Sequence, residues 1–304
     1  MVAPRRLPLP TLLPMLLVLL SAPSGAAEFR LCTGNPGKTY HAVGTVLAEL
    51  MPALSRRGLT LTVVPTGGST DNLQRLVDGQ CEGAISQGDV VALVAEQAAP
   101  ASVFQLVTAL YKELSLLLCH ENSGVTELDD LLALPDPVVA AGSEGSGSLA
   151  TWRIFRQLES AYHEIRLLPV NGMEGASAVA AGKATCLFEV IAPRSDFLGL
   201  LNDDDAFAQI LRFASVGDEF ERFRVAGQPV YSRVEFDDEA YPALGHWGDP
   251  TLLAITAYLV VTEDWAQHHP ELLLDLSQAL LTSHNEIEQV AYGAQRPFVE
   301  QPDQ

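Results

Sequence analysis

Basic residues are scarce in this chain. Its 304 residues hold 18 Lys and Arg against 38 Asp and Glu, a formal net charge of -20, and lysine occurs only three times. A surface of that sign repels a phosphate backbone instead of releasing its counterions, which excludes nucleic acid as a partner and an anionic membrane surface with it. Low-complexity tracts and short-period repeats are missing. With 48% hydrophobic and 18% charged residues the composition is not that of a disordered protein, and the length suits one large domain or two ordinary ones. Beyond residue 27 no uninterrupted apolar run is long enough to span a bilayer.

Motifs of covalent and metal chemistry are missing as well. The four cysteines, Cys32, Cys81, Cys119 and Cys186, show no CxxC spacing, so a zinc ribbon or thioredoxin motif is excluded. Each sits in or beside an apolar, strand-like run, and buried free thiols are expected rather than two bridges. Cys32 follows Leu31, not the small residue of an acylation site. No H-E-x-x-H occurs, the seven histidines have no selective spacing, and Asp203–Asp205 lacks the pattern of a calcium loop and reads as an exposed turn. His268 and His269 read as a solvated helix end. A nucleophilic serine needs a histidine base and a G-x-S-x-G elbow, and the segment around Ser143 lacks its first glycine.

The N-terminus does carry a signal. Arg5 and Arg6 precede an apolar stretch, densest over 12–20, and small residues follow up to Ala27. This is a secretory signal pattern, with cleavage expected near Ala27. Pro8, Pro10 and Pro14 interrupt it, which argues against a membrane anchor. Loss of the two arginines takes the charge from -20 to -22, and the mature chain is expected to be exported and soluble.

Beyond it, short apolar runs alternate with helical periodicity. Strands are expected at 28–33, 59–65 and 83–87, with helices at 39–54, 69–78 and 89–97. The order then repeats: strands at 114–119, 137–141, 165–170 and 185–191, and helices at 125–134, 148–160 and 175–181. Two α/β units of parallel sheet follow from this order. An apolar run at 252–261 and one amphipathic helix over 270–290 close the chain.

Three strand-to-helix junctions are rich in glycine and hydroxyls: Thr33-Gly34-Asn35-Pro36-Gly37-Lys38-Thr39-Tyr40, Thr66-Gly67-Gly68-Ser69 and Gly142-Ser143-Glu144-Gly145-Ser146-Gly147-Ser148. A helix N-terminus offers free N–H groups and a partial positive charge, and glycine lets a ligand reach the backbone. Singly, each loop is tight-turn chemistry with a cap at Thr39, Ser69 or Ser148. Three together point to one anion in a cleft at the carboxyl ends of the strands. The first is nearly a phosphate-binding P-loop, but Cys32 stands where its first glycine belongs. Asp89, after Gln87-Gly88, either caps the next helix or faces the cleft to pair with a ligand ammonium. Lys38 either pairs with a carboxylate or is a solvated loop residue.

At these residues the chain resembles the TAXI-type solute-binding proteins of tripartite ATP-independent periplasmic (TRAP) transporters. The likeness runs in order from about 30 to 290. The family's Thr-Gly-Gly-x-x-Gly-x-Tyr appears at Thr33–Tyr40, with Gly44 in place, and its Thr-Gly-Gly-Ser-x-x-Asn-Leu is intact at Thr66–Leu73. Gly79–Asp89, Leu110–Glu113, Asn122–Val125, Leu128–Leu132 and Gly142–Ser148 match further segments. Lys38 replaces a small residue, His41 a tyrosine and Gly88 a serine.

The resemblance implies an α/β, type II periplasmic-binding-protein-like fold, two lobes with a ligand cleft between them. Lobe 1 would comprise 28–112 and about 215–304, and lobe 2 about 113–214, with hinges near Tyr111–Ser115 and Phe213–Gly227. It implies a periplasmic receptor without enzymatic activity or cofactor. This monomer would capture a small organic acid or amino acid of the glutamate or 2-oxoglutarate class for a TRAP-type permease. The residues expected at the ligand are Thr33, Gly34, Lys38, Thr39, Tyr40, Thr66, Gly67, Gly68, Ser69, Asn72, Gln87, Asp89, Ser143, Ser146, Gly147 and Ser148. A ligand-binding module of a sensor shares all of these residues, and a phosphate-handling enzyme built on the Lys38 loop is the third reading.

Overall fold

The computed structural model describes residues 27–97, 104–216, 220, 224–225, 227–236, 241–246, 250–293 and 298–300. Residues 1–26, the body of the expected signal, and part of the second expected hinge lie outside them. The chain opens as strand β1 (Glu28–Cys32), helix α1 (Thr39–Leu54), β2 (Thr60–Val64), α2 (Ser69–Val77), β3 (Gly83–Gln87) and α3 (Gly88–Gln97). Helix α1 buries Tyr40, Val43, Gly44, Leu47 and Met51, one stripe at helical spacing. Gly44 is part of that fit, because a Cβ there would lie 2.7 Å from Cγ2 of Thr33.

The long strand β4 (Phe104–His120) leads into a second group: β5 (Val138–Ala140), α4 (Gly147–Leu158), β6 (Arg166–Leu168), α5 (Gly172–Ala180) and β7 (Cys186–Ile191). The short helix expected over 125–134 is a 3-10 helix at Leu128–Ala133. After it come α6 (Asp196–Asp203), α7 (Asp205–Ala208), β8 (Leu211–Ala214), β9 (Arg224–Val225), β10 (Gln228–Pro229), β11 (Tyr231–Phe236), β12 (Gly245–His246), β13 (Thr251–Thr262), α8 (Glu263–His268), α9 (Pro270–Thr282), α10 (His284–Tyr292) and β14 (Phe298–Glu300). The single helix expected over 270–290 is broken at Ser283, whose hydroxyl bonds back to the carbonyl of Ala279. The acidic turn is as expected: Asp204 caps α7 through the N–H of Ala206.

The sheet order is β2-β1-β3-β13-β4-β7-β5-β6. β1 runs parallel to β2 and β3, and β5 parallel to β6 and β7, as the alternating order requires. The strand expected at 114–119 does not join a parallel unit: it is the second half of β4, which runs antiparallel. Between the two groups β13 pairs antiparallel with both β3 and β4, and β4 antiparallel with β7. β4 carries the chain from one α/β group to the other and β13 brings it back. β13 and the second half of β4, from Leu110, are buried on two faces, so their apolar sequence does not reveal direction.

The second group packs around Trp152, whose ring centroid lies 5.2 Å from that of Phe188, with Phe155 and Tyr162 beside it. The cysteines correct the sequence reading. All four are paired, Cys32 with Cys81 in the first group and Cys119 with Cys186 in the second. Cys119 and Cys186 face each other in the antiparallel register of β4 and β7, a juxtaposition that only the register creates.

Candidate functional site

A cavity of about 460 Å³ opens between the two groups, a size that suits a small ligand. One wall comes from the first group. Tyr40, in the first turn of α1, donates its hydroxyl to Oε2 of Glu113 at 2.7 Å and lies 3.2 Å from Oγ of Ser69. The Ser69 hydroxyl lies 3.2 Å from Oε1 of Gln87 and accepts from the Gln87 N–H at 3.3 Å. The Gln87 side-chain nitrogen is buried without a partner. A small movement of this side chain, which lines the cavity, would offer that donor to a ligand.

The second group builds the opposite wall. Oε2 of Glu189 accepts the hydroxyl of Ser148 at 3.0 Å, and Oε1 accepts the N–H of Gly172 at 2.6 Å. Ser148 accepts in turn from the N–H of Val190 at 2.9 Å. Lys38, Arg194, Asp196, Phe197, Asn171 and Met173 complete the rim. No Asp or Glu lies within ion-pair distance of Lys38 or Arg194 among the described residues.

Burial sets the protonation of the carboxyls. It pushes Glu113 up to about 8, against the hydrogen bond from Tyr40 and with help from the charge of Asp89. Burial also raises Glu189, opposed by the Lys38 ammonium and by the donors on Gly172 and Ser148. The Tyr40 phenol is held well above its usual value by burial and by the neighbouring Glu113. Near neutral pH, Glu113 is therefore a neutral acid able to donate a proton to a ligand oxygen.

Of the residues expected at the ligand, Gly34, Lys38, Thr39, Tyr40, Gly67, Gly68, Ser69, Gln87, Ser146, Gly147 and Ser148 line the cavity. Five do not. Thr33, Thr66 and Asn72 form a buried clasp: the Thr33 carbonyl accepts the Thr66 hydroxyl at 3.0 Å and the Asn72 amide, which also reaches the Ile85 carbonyl at 2.7 Å. This clasp ties the first two loops together beneath the site. Asp89 faces away from the cavity and accepts hydroxyls from Thr151 at 2.7 Å and Tyr231 at 3.1 Å. It joins α3 to α4 across the two groups. Ser143 is exposed.

The caps differ too. Lys38, Gly68 and Ser146 hold the N-cap positions of α1, α2 and α4, and only Ser146 caps with its side chain. Ser69 and Ser148 point into the cavity walls instead. The N–H groups of Thr70 and Asp71 at the start of α2 are taken by the Gly145 carbonyl, at 3.2 and 3.3 Å, so the second and third loops grip each other.

Sequence reading missed Glu113 and Glu189 as site residues. Each is a lone acid inside an apolar strand run, Leu114–Cys119 being adjacent to the first and Cys186–Ile191 enclosing the second. A carboxylate in that context is costly to bury and is the signal that points to them. No group of His, Cys, Asp and Glu among the described residues is arranged to hold a metal ion.

Two α/β lobes linked by long strands, with a cavity between them at the strand ends, define a type II periplasmic-binding fold. The chain belongs to the NMT1-like family, whose model matches residues 31–296. Solved structures share the fold at low identity. The GluR0 ligand-binding core from Nostoc punctiforme, in complex with L-glutamate, is 13% identical with a TM-score of 0.52, over 87% of this chain and 99% of that one. The VFT2 domain of Bordetella pertussis BvgS (double mutant F375E/Q461E) is 14% identical with a TM-score of 0.51, over 87% and 91%. A periplasmic transporter is 11% identical with a TM-score of 0.53, over 91% and 89%. No curated protein matches the chain.

Proposed function

We propose that the chain is an exported, periplasmic solute receptor that captures a small organic acid or amino acid of the glutamate or 2-oxoglutarate class and delivers it to a TRAP-type permease. Lobe 1 then comprises 28–112 and about 215–304, and lobe 2 about 113–214. The observation that carries the reading is the make-up of the cavity. Two cations with no ion-pair partner among the described residues, Lys38 and Arg194, line it, as does Gln87, whose buried side-chain nitrogen has no partner. Beside that donor, Glu113 supplies a neutral carboxyl and Tyr40 and Ser69 supply hydroxyls. Those groups complement a carboxylate with a second polar substituent. Lobe closure supplies the signal to the permease: Asp89 with Thr151, and Gly145 with α2, are contacts that an open form breaks.

A thermal-shift screen of chain refolded free of ligand tests this. A ligand at a hundred times its dissociation constant adds about 2.7 kcal/mol, a shift of several degrees. A shift with a small carboxylate or amino acid is the expected result. Silence across dicarboxylates, amino acids and monocarboxylates in folded protein contradicts it, and a response to Mg-ATP alone favours a phosphate-handling site.

A further inference from the structure

Lys38 starts in the first loop, on the lobe 1 side, yet its ammonium lies against lobe 2. Its Nζ is 3.7 Å from where a Cβ on Gly172 would stand. It is 5.9 Å from the ring centroid of Phe197, within cation–π range. The N–H of the same Gly172 is bonded to Oε1 of Glu189, and the Lys38 charge acts on that buried carboxyl although Nζ stands beyond ion-pair distance of it. An acidic group and an aromatic face on one wall suit an ammonium, and here the protein's own side chain reaches toward them.

We infer that Lys38 occupies the seat a ligand ammonium would take, so that the cleft selects carboxylic acids lacking an α-amino group, such as 2-oxo and 2-hydroxy acids, over the matching amino acids. This rests on the small-acid receptor reading above and narrows it. With Lys38 in place, a ligand ammonium meets a like charge on the side of the cavity that carries Glu189. An oxo or hydroxyl oxygen meets instead the Lys38 ammonium and the free donor of Gln87. The seat exists because Lys38 is long enough to cross the cavity. A small residue at this position leaves Glu189 open to the ligand.

The test is titration calorimetry on ligand-free protein with matched pairs: 2-oxoglutarate and L-glutamate, 2-oxoisocaproate and L-leucine, pyruvate and L-alanine. The native chain is compared with Lys38→Met and Lys38→Arg, each checked for native melting. Lys38 makes no side-chain cap bond, so its loss leaves the helix start intact. In the native chain the oxo acid of the best-binding pair binds about tenfold or more tighter than its amino acid, the range of one charge-assisted contact. Lys38→Met binds the amino acid more tightly than the native chain does and shifts that ratio about tenfold or more toward it, and Lys38→Arg preserves the oxo preference. A native preference for the amino acid, or an unchanged ratio in Lys38→Met, overturns the inference while leaving the receptor reading standing. Loss of oxo-acid binding in Lys38→Met without gain for the amino acid makes Lys38 a plain anion contact and also overturns it. No binding of any pair by the native chain overturns the receptor reading for this acid class, and the inference with it.

Discussion

On one wall of the cleft Glu113 lies buried beside Tyr40, with burial holding it neutral up to about pH 8. On the other, Glu189 is equally buried but accepts a backbone N–H and a serine hydroxyl and has the Lys38 ammonium close by. The same side chain, drawn from strands on either side of one cavity, is raised by burial in both places, but only in the second does a nearby cation oppose the shift. The difference lies in what surrounds it. The first wall offers hydroxyls and an amide with no cation, whereas the second offers a helix start and a lysine borrowed from across the cleft. The two walls therefore differ: hydroxyls and an amide on one, an unpaired lysine reaching toward an acid on the other. This asymmetry is the basis of the proposed preference for an acid.

The comparison can be broken from the frame inward. Each lobe is stapled once, and in the chain-entropy view either bridge contributes about 4 kcal/mol, the two loops spanning 49 and 67 residues. Replacing Cys32 and Cys81, or Cys119 and Cys186, by alanine is expected to lower the denaturation midpoint by nearly equal amounts. Markedly unequal losses show that the lobes do not depend equally on their staples.

Glu113→Gln comes next. The native fold keeps a proton at Glu113 up to about pH 8 that the unfolded chain releases near 4.5. The stability carried by that proton is present below 4.5 and is lost as pH rises to about 8. Burial raises Asp89 and Glu189 as well, which adds to the same slope. Glu113→Gln is expected to flatten the fall, with the variant more stable than the native chain at pH 9. Melting curves from pH 5 to 9 check this, and an unchanged slope shows that Glu113 ionises in the fold at its ordinary value.

A smaller effect belongs to Thr151→Val, which leaves Asp89 with Tyr231 and the N–H of Val90 as donors. A loss of about 1–3 kcal/mol is expected for removing one partner of a buried acceptor, read from urea midpoints. No loss means that Asp89 does not join the lobes energetically.

Much of this was legible in the sequence, and the reasons differ by element. Helix α1 is legible at Thr39–Leu54 because Val43, Val46, Leu47, Leu50 and Leu54 recur at helical spacing, and the glycine-hydroxyl loops stand out because few other sequences suit a backbone that a ligand approaches. Asp89 stays open between a cap and the cleft in the sequence, because an acid after a strand end looks the same whether it faces a cleft or a neighbouring helix; the fold turns it to Thr151, Tyr231 and the N–H of Val90. The antiparallel β13 and the two disulfides depend on strand register, which apolar runs do not encode. Glu113 and Glu189 were readable only by asking why an acid sits in a strand that is otherwise buried.

The most direct test of the central claim lies where the two walls meet. A Cβ on Gly147 would fall 1.5 Å from Oε1 of Gln87 and 3.0 Å from Oγ of Ser69. Gly147→Val therefore drives a side chain into the first wall and displaces Gln87 and Ser69, two of the groups assigned to the ligand. Once the thermal-shift screen has named an acid, its titration into native and variant protein decides the matter. The account predicts affinity weakened by about a hundredfold in a variant that still melts cooperatively. A folded Gly147→Val protein that binds the acid as tightly as the native chain would place the ligand elsewhere and contradict it.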